Sequence, residues 1–225
     1  MTDEWRASDR CFDVLLLYFG GVCLLNPVEL HDRAESVLGL AAGTLDWLGP
    51  IDPATDDLWR ELLAGSLTER DYWARRAAEV GAAAGRPLDT REYMRLVYDP
   101  PTPQMIRSDA TDVATRALAA GYGVSVLTND LRAFHGSSWQ QQIPFLDLID
   151  HLVDCSDTGV LKPDPRAFEH AATEIGVALD RMLFVDDQPA NVAGAEAVGL
   201  ETIHFDIAKP ERSWSRVADR LRLDQ

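Results

Sequence analysis

An α/β fold with a parallel sheet is predicted by the alternation of two kinds of segment along the chain. Five short apolar segments are rich in β-branched or aromatic residues, and a stretch of helical character separates each from the next. Strands and helices that alternate in this way are typical of βαβ units, whose strands run parallel in one sheet. The first predicted strand begins at residue 14 and runs into a glycine turn, and the others span 124–128, 151–155, 182–187 and 201–205.

Helices are predicted between these strands from their stop signals. The stretches at 108–120 and 164–175 each end directly before a glycine, Gly121 or Gly176. A glycine at this place is the usual end of a helix, since it adopts the left-handed backbone conformation without strain.

The long interval between the first and second strands, residues 28–104, has no strand-like segment. Prolines at 100, 101 and 103 mark its end, because tandem prolines stop a helix and stiffen a linker. We therefore expect an α/β core formed by 11–27 and 105–225, with an all-helical domain inserted at 28–104. The helices expected in the insert span 29–38, 53–64 with Asp52 as the N-cap, 68–80 and 90–97.

Charge and cysteine content exclude several classes of function. The 225 residues include 21 basic and 37 acidic side chains, a net charge of −16 that opposes binding to nucleic acid and to anionic membranes. Cys11, Cys23 and Cys155 lack the spacing of a zinc site or a disulfide framework, which favours a reducing compartment. The mixed charges of the first 13 residues are unlike a signal peptide, and the following apolar run is too short to span a bilayer. We expect a soluble, cytoplasmic protein.

Two adjacent carboxylates, Asp186 and Asp187, follow the apolar segment that begins at residue 182 and precede a predicted helix. At the carboxyl edge of a sheet, such hard oxygen ligands suit Mg²⁺. In isolation, a pair of this kind is more often a helix cap than a metal site. The magnesium assignment therefore depends on the residues that accompany the pair.

Three further polar residues are placed to bind an anion. Lys162 lies in a loop before a helix that begins with proline, where its ammonium group could balance acidic groups or hold a phosphate. Thr128 and Asn129 follow a predicted strand and offer a hydroxyl and an amide. Each is a weak signal alone, and the ordered set is a strong one.

This ordered set, with a helical insert after the first strand, resembles the haloacid dehalogenase (HAD) superfamily in its group with a C1-type helical cap. The resemblance implies a Rossmann-like core. It also implies that Thr128 and Lys162 bind the transferring phosphoryl group and steady the nucleophile, with Asn129 in support, and that Asp186 and Asp187 bind Mg²⁺. The segment 135–143 corresponds to a loop in related proteins, with His135 on the surface, and we assign it no function.

The first motif departs from the family pattern at two positions. Family members carry a nucleophilic aspartate at the end of the first strand and often an acid/base aspartate two residues later. Tyr18 and Gly20 stand at these positions. A neutral phenol is a poor nucleophile and a poor magnesium ligand at pH 7, and its ring is bulkier than a carboxylate.

Three interpretations of function stay open. The first is a pseudoenzyme that binds a small anionic molecule or a protein partner. The second is an enzyme with changed chemistry, in which Tyr18 acts as an acid, a hydrogen-bond donor or an aromatic wall while Mg²⁺ holds a phosphate or diphosphate substrate. The third is a residual phosphohydrolase that uses metal-activated water. Ordinary phosphatase or dehalogenase chemistry is expected to be absent or residual in all three.

Overall fold

A five-stranded parallel sheet lies at the centre of the structure, a computed structural model that describes residues 10–223 apart from the side chain of Ser137. The strands are β1 Val14–Leu17, β2 Gly123–Thr128, β3 His151–Asp154, β4 Met182–Asp186 and β5 Glu201–His204. Their order across the sheet is β3-β2-β1-β4-β5. The α/β fold with a parallel sheet is thereby confirmed, and each strand lies where the sequence predicts one.

The helices of the described residues follow the strands in the expected alternation. They are α1 His31–Leu38, α2 Asp57–Leu63, α3 Glu69–Ala83, α4 Thr90–Tyr98, α5 Ser108–Ala119, α6 Leu131–His135, α7 Ser137–Gln140, α8 Pro165–Ile175, α9 Pro189–Ala197 and α10 Pro210–Arg220. Short 3₁₀ turns connect several of them, at Pro27–Leu30, Pro53–Thr55, Pro103–Met105, Pro144–Asp147, Cys155–Asp157 and Leu179–Arg181. None of the helices in residues 10–223 has the length and apolar character needed to cross a membrane.

Both faces of the sheet are buried, which explains why its strands are apolar without alternation. Leu16 of β1 lies in an apolar cluster with Phe168 of α8. Leu15 points to the opposite face and lies in a second cluster with Val113 of α5 and Trp214 of α10. Successive side chains of a strand point to opposite faces, so β1 contacts both helical layers.

The chain between β1 and β2 is helical, with α1 to α4 and three of the 3₁₀ turns. The segment that leaves the sheet and the segment that returns to it lie side by side, since Leu24 and Ile106 form an antiparallel bridge. The Leu25 amide donates to the Met105 carbonyl at 2.8 Å, which ties the two crossing segments together. We call residues 27–105 the helical segment; its assignment as a separate domain at 28–104 stays a prediction.

The N-cap expected for the second helix of this segment is wrong by four residues. Asp52 caps the 3₁₀ turn Pro53–Thr55, and α2 begins after Asp56, whose Oδ1 accepts from the Trp59 amide at 2.7 Å. Asp56 is fully buried and also accepts from the Tyr72 hydroxyl at 2.8 Å. Tertiary contacts therefore decide between two aspartates that are alike in sequence.

The segment 135–143 is not the surface loop that the sequence predicts. It contains the end of α6 and the short helix α7, and both His135 and Trp139 are buried. Their rings stack with centroids 4.2 Å apart, and the Trp139 indole donates to the carbonyl of Tyr98 in the helical segment at 3.2 Å. Burial of two rings against α4 is the reason that the segment is ordered as helix.

Candidate functional site

The predicted site lies at the carboxyl ends of β1 and β4, where the strand order changes direction. Open α/β sheets form a crevice at such a point, and ligands bind there. Leu17 of β1 is in register with Val185 of β4, so Tyr18 and Asp186, one residue further on, lie side by side. The Tyr18 amide donates to the Val185 carbonyl at 2.9 Å, which fixes this placement.

Lys162 and Asp186 form a buried ion pair beneath the crevice. The Lys162 ammonium donates to Asp186 Oδ2 at 2.6 Å and to the Leu127 carbonyl at 3.0 Å. Both side chains are fully shielded from solvent. The positive charge of Lys162, which the resemblance assigns to phosphoryl binding, is therefore already paired with a carboxylate of the protein.

The other acceptor positions of Asp186 are also occupied. Asn191 Nδ2 lies 3.1 Å from both carboxylate oxygens, and the Gln188 amide donates to Oδ1 at 2.8 Å. A carboxylate offers about four lone-pair positions. Together with Lys162, these donors fill all of them.

The Tyr18 ring covers the Lys162 ammonium. The distance from Nζ to the ring centroid is 3.9 Å, within the range of a cation–π contact. Burial raises the pKa of Tyr18 well above its ordinary value, and the nearby carboxyl groups of Glu69 and Asp187 raise it further. The phenol thus stays protonated and can donate a hydrogen bond, but it offers no phenolate for attack.

Gly20 provides the space that the Tyr18 ring occupies. A Cβ atom at position 20 would lie 2.9 Å from the Tyr18 hydroxyl and 3.3 Å from the ring carbon that bears it. The two departures from the family pattern are therefore linked by packing. Gly21 is constrained independently, because its φ is +76° and a Cβ there would lie 2.9 Å from Asp187 Oδ2.

Asn129 positions the loop that carries Lys162. Its side chain accepts from the Lys162 amide at 2.8 Å and donates to the Lys162 carbonyl at 3.1 Å. Both bonds are buried. Asn129 thus holds the backbone of the lysine, whereas Thr128 is buried at the end of β2 and lines the cavity above.

A cavity of about 60 Å³ remains between the sheet edge and the helical segment. Of the predicted site residues, Tyr18, Gly20, Thr128 and Asp187 line it. Lys162, Asn129 and Asp186 belong to the same site but lie behind the Tyr18 ring and do not line the cavity. The helical segment contributes further lining residues that the sequence analysis missed: Glu69, Trp73, Met94 and Tyr98.

The acidic groups at this cavity differ in how they are balanced. The core residue Asp130 pairs with Arg70 of α3, whose Nε donates to it at 3.2 Å. Burial raises the pKa of Glu69 to about 7; Asp186 raises it too, whereas Lys162 opposes the shift. Burial raises the pKa of Asp187 well above its usual range, and the neighbouring carboxyl groups of Asp186 and Glu69 raise it further. Acidic groups therefore outnumber basic groups at the cavity.

Magnesium does not fit the donor set in this arrangement. Mg²⁺ requires near-octahedral oxygen ligands, and the acceptor positions of Asp186 are filled. Across residues 10–223, no three histidine, cysteine or acidic side chains are placed to hold one metal ion. Asp187 Oδ1 is buried and has no hydrogen-bond partner among the described residues, so Asp187 retains an oxygen atom that could bind a metal ion.

A sequence signal for Glu69 exists but is weak. Glu69 and Trp73 are four residues apart on α3, so both side chains lie on one face of the helix, and Trp73 donates a hydrogen bond to Glu69. The same spacing is also typical of a helix that merely packs an aromatic side chain. Nothing in the local sequence indicates that this face lies above the sheet edge.

Comparisons with known proteins concern the family and the fold of the chain. Residues 24–199 match the sequence model of the haloacid dehalogenase-like hydrolases. The match begins after Tyr18 and Gly20, so it does not include the departing positions.

Among individual proteins, the chain is 31% identical over 131 residues to a phosphatase of Mycobacterium tuberculosis, which covers 58% of this chain and 57% of the phosphatase. It is 33% identical over 211 residues to acyl-CoA dehydrogenase family member 10 of Mus musculus, covering 92% of this chain and 19% of that protein. The chain thus spans only part of these relatives.

A solved structure of similar fold is that of YfnB from Bacillus subtilis, a protein classed with the HAD hydrolases and bound to magnesium. It superposes with a TM-score of 0.65 at 17% identity, over 86% of each chain. At this identity the likeness concerns the fold.

Proposed function

The chain belongs to the haloacid dehalogenase-like hydrolase family, and we propose that it is a member that binds a small molecule without performing the aspartyl-nucleophile reaction. The family fold is retained, and the pocket lies where ligands bind in open α/β sheets. The proposal concerns what the altered first motif has done to that pocket.

The observation that supports the proposal most strongly is the contact between Tyr18 and Lys162. The phenol ring lies 3.9 Å from the ammonium, which in turn donates to Asp186 at 2.6 Å. A phosphoryl group that approached Lys162 would have to displace the ring and compete with a buried carboxylate. Removal of one partner of a buried ion pair is costly, so this exchange is unfavourable.

Loss of the nucleophile also supports a protein that binds without catalysis. The pKa of Tyr18 is raised by burial, so it cannot replace a carboxylate as the attacking group at neutral pH. Removal of a catalytic nucleophile costs an enzyme many powers of ten in rate, on the order of a millionfold where it has been measured. The phosphatase named among the relatives therefore indicates ancestry of the fold more than a shared activity.

A second candidate function is an enzyme with changed chemistry, and one observation favours it. The Tyr18 hydroxyl is close enough to Glu69 and Asp187 for their charges to raise its pKa. A protonated phenol beside carboxyl groups could act as a general acid. Residual hydrolysis by metal-activated water is supported less, because Asp186 has no acceptor position left for a metal ion.

The experiment that tests the proposal measures turnover and magnesium binding in three proteins. We expect the wild-type protein to hydrolyse p-nitrophenyl phosphate far more slowly than about 1 per second, the ordinary scale for enzymes, with or without Mg²⁺. Tyr18→Asp should bind Mg²⁺ measurably more tightly in calorimetry, since it places a carboxylate near Asp187, whose Oδ1 has no hydrogen-bond partner among the described residues, and removes the ring. Tyr18→Phe is the matched control, because it keeps the ring and should gain nothing.

Two outcomes would contradict the proposal. Wild-type turnover near 1 per second that is abolished by Asp186→Asn would show that the pocket is catalytic without an aspartate nucleophile. Product formation from other substrates that depends on the Tyr18 hydroxyl, and so is lost in Tyr18→Phe, would favour changed chemistry instead.

A further inference from the structure

The cavity above Tyr18 contains more acidic than basic groups, and this imbalance indicates the charge of its ligand. Lys162 is occupied by Asp186, and Arg70 is occupied by Asp130. Among the described residues, Glu69 and Asp187 have no ion-pair partner. The two carboxyl groups lack a positive neighbour, so a cation that entered the cavity would favour their ionised form, whereas an anion would oppose it.

An unpartnered acceptor at the cavity indicates a hydrogen-bond donor as ligand. Asp187 is 5% exposed, lines the cavity, and has no partner for Oδ1 within residues 10–223. A buried polar atom without a partner destabilises the protein, so binding of a donor that reaches it is favoured. An ammonium group supplies both the donor and the positive charge.

Six aromatic rings contribute to the remaining wall of the cavity, beside aliphatic side chains such as Leu24, Met94 and Leu131. The rings come from both the sheet edge and the helical segment, and they are Tyr18, Phe19, Trp73, Tyr98, Phe134 and His135. Faces of aromatic rings attract organic cations, and cages of such rings bind alkylated ammonium groups. A hard metal ion would need oxygen ligands in place of these rings, and no group of three candidate metal ligands lies together in the described part of the chain.

The size of the cavity limits the ligand. At roughly 15 Å³ of such volume for each water-sized group, about 60 Å³ holds about four non-hydrogen atoms. This admits the ammonium head of a small primary amine, and methylammonium with its two non-hydrogen atoms fits within it.

From these observations we propose that the cavity binds the ammonium head group of a small amine, held by Glu69 and Asp187 against the aromatic wall. This inference rests on the proposed binding function and specifies the ligand. It also departs from the sequence expectation of an anionic ligand, because that expectation assumed that Lys162 faces the pocket.

The test is a titration of the full chain with methylammonium and tetramethylammonium chloride, at ionic strength held constant with sodium chloride, and with inorganic phosphate as the anionic probe. Binding is measured by calorimetry and by tryptophan fluorescence, to which Trp73 contributes. We expect saturable binding of methylammonium, which can donate to Asp187 Oδ1, weaker binding of tetramethylammonium, which cannot, and no binding of phosphate. Glu69→Gln and Asp187→Asn should each weaken amine binding at least tenfold.

Glu174→Gln is the matched control, because Glu174 is an exposed residue of α8 and its loss changes the net charge by the same amount. Its affinity should stay within about twofold of the wild type. Wild-type protein that does not bind methylammonium, or Glu69→Gln that binds it as tightly as Glu174→Gln, would overturn the inference. Saturable phosphate binding that is lost in Lys162→Met would also overturn it.

These failures are distinguishable from failure of the proposed function. Absence of amine binding together with absence of phosphatase turnover would leave a binding protein with another ligand. Turnover near 1 per second would reject the binding function itself, whatever the amine titration shows.

Discussion

At the end of β1, the Tyr18 ring lies in the space that a side chain at position 20 would need. The Tyr18 hydroxyl lies 2.9 Å from the ideal Cβ position of residue 20, which is too close for an unstrained contact. An aspartate at position 20 and the present orientation of the ring are therefore incompatible. The absence of the acid/base residue and the presence of the phenol are a single packing arrangement.

This linkage predicts a non-additive response to mutation. Gly20→Ala should destabilise the wild-type protein by about 1–3 kcal/mol, the usual cost of overpacking a buried site. In a Tyr18→Phe background the cost should fall by about 0.5 kcal/mol or more, because the closest atom has been removed. Urea denaturation of the wild type, both single variants and the double variant measures the coupling.

Gly21→Ala serves as the control for this cycle. Its Cβ would contact Asp187 Oδ2 and its φ of +76° is unfavourable for alanine, so its cost is independent of the Tyr18 hydroxyl. Equal costs of Gly20→Ala in the tyrosine and phenylalanine backgrounds would show that the ring does not depend on Gly20.

At the scale of elements, the helical segment is organised around a buried carboxylate. Asp56 caps α2 and accepts from Tyr72, and it also pairs with Arg76, which is largely buried. One side chain therefore joins the start of α2 to the face of α3. The guanidinium of Arg76 lies over the Trp47 ring at 4.6 Å, which extends the network into the aromatic core.

We expect Asp56→Ala to destabilise the protein by about 2–4 kcal/mol, because it leaves the buried Arg76 with only the half-exposed Glu79 as partner and removes an N-cap. Asp57→Ala is the matched control one residue away, since its ion pair with Arg60 is exposed and such pairs contribute about 0–1 kcal/mol. Chemical denaturation compares the two. A similar small loss for both would mean that the buried network adds little to stability.

The same element shows what the sequence can and cannot predict. The strands are predictable because apolar, β-branched composition is a local property, and Thr128 and Asp186 are predictable because they end two of these strands. Asp52 and Asp56 cannot be ranked as caps in the same way. The choice depends on Tyr72 and Arg76, which approach only in the folded chain.

Glu69 illustrates the same limit at the site. Its position on the helical segment is evident from the sequence, but its approach to Asp186 depends on how α3 lies over the sheet edge. The state of Lys162 is equally non-local, since the sequence predicts a lysine at the site but not that a neighbouring ring covers it. The site residues at the sheet edge are therefore predictable from the sequence, whereas the lining residues of the helical segment and the electrostatic balance of the site are not.

At the scale of the whole molecule, α6 and α7 connect the helical segment to the sheet. His135 stacks on Trp139, and its ring also contacts Tyr98 of α4 at a centroid distance of 5.1 Å. The indole of Trp139 donates to the Tyr98 carbonyl. A charge placed on His135 would therefore be buried where the two parts of the molecule meet.

The pH dependence of stability follows from this burial. Desolvation, together with the smaller effect of the charge of Arg95, lowers the pKa of His135 to about 4. With an ordinary value near 6.5 in the unfolded chain, the unfolded state binds more protons between pH 6.5 and 4. The contribution of His135 is therefore fully present above pH 6.5 and is lost as the pH falls through this window, by about 2 kcal/mol at pH 5.

We expect His135→Phe to flatten the fall in unfolding free energy between pH 7 and pH 5, since a phenylalanine ring can stack on Trp139 without taking up a proton. His151→Gln is the control, because His151 is exposed at the start of β3 and its replacement should leave the slope unchanged. The raised pKa of Glu69 acts with opposite sign and is common to all three proteins, so the difference in slope isolates His135. Urea denaturation at closely spaced pH values measures it. Identical slopes for His135→Phe and the wild type would show that protonation of His135 does not oppose the packing of the helical segment on the sheet.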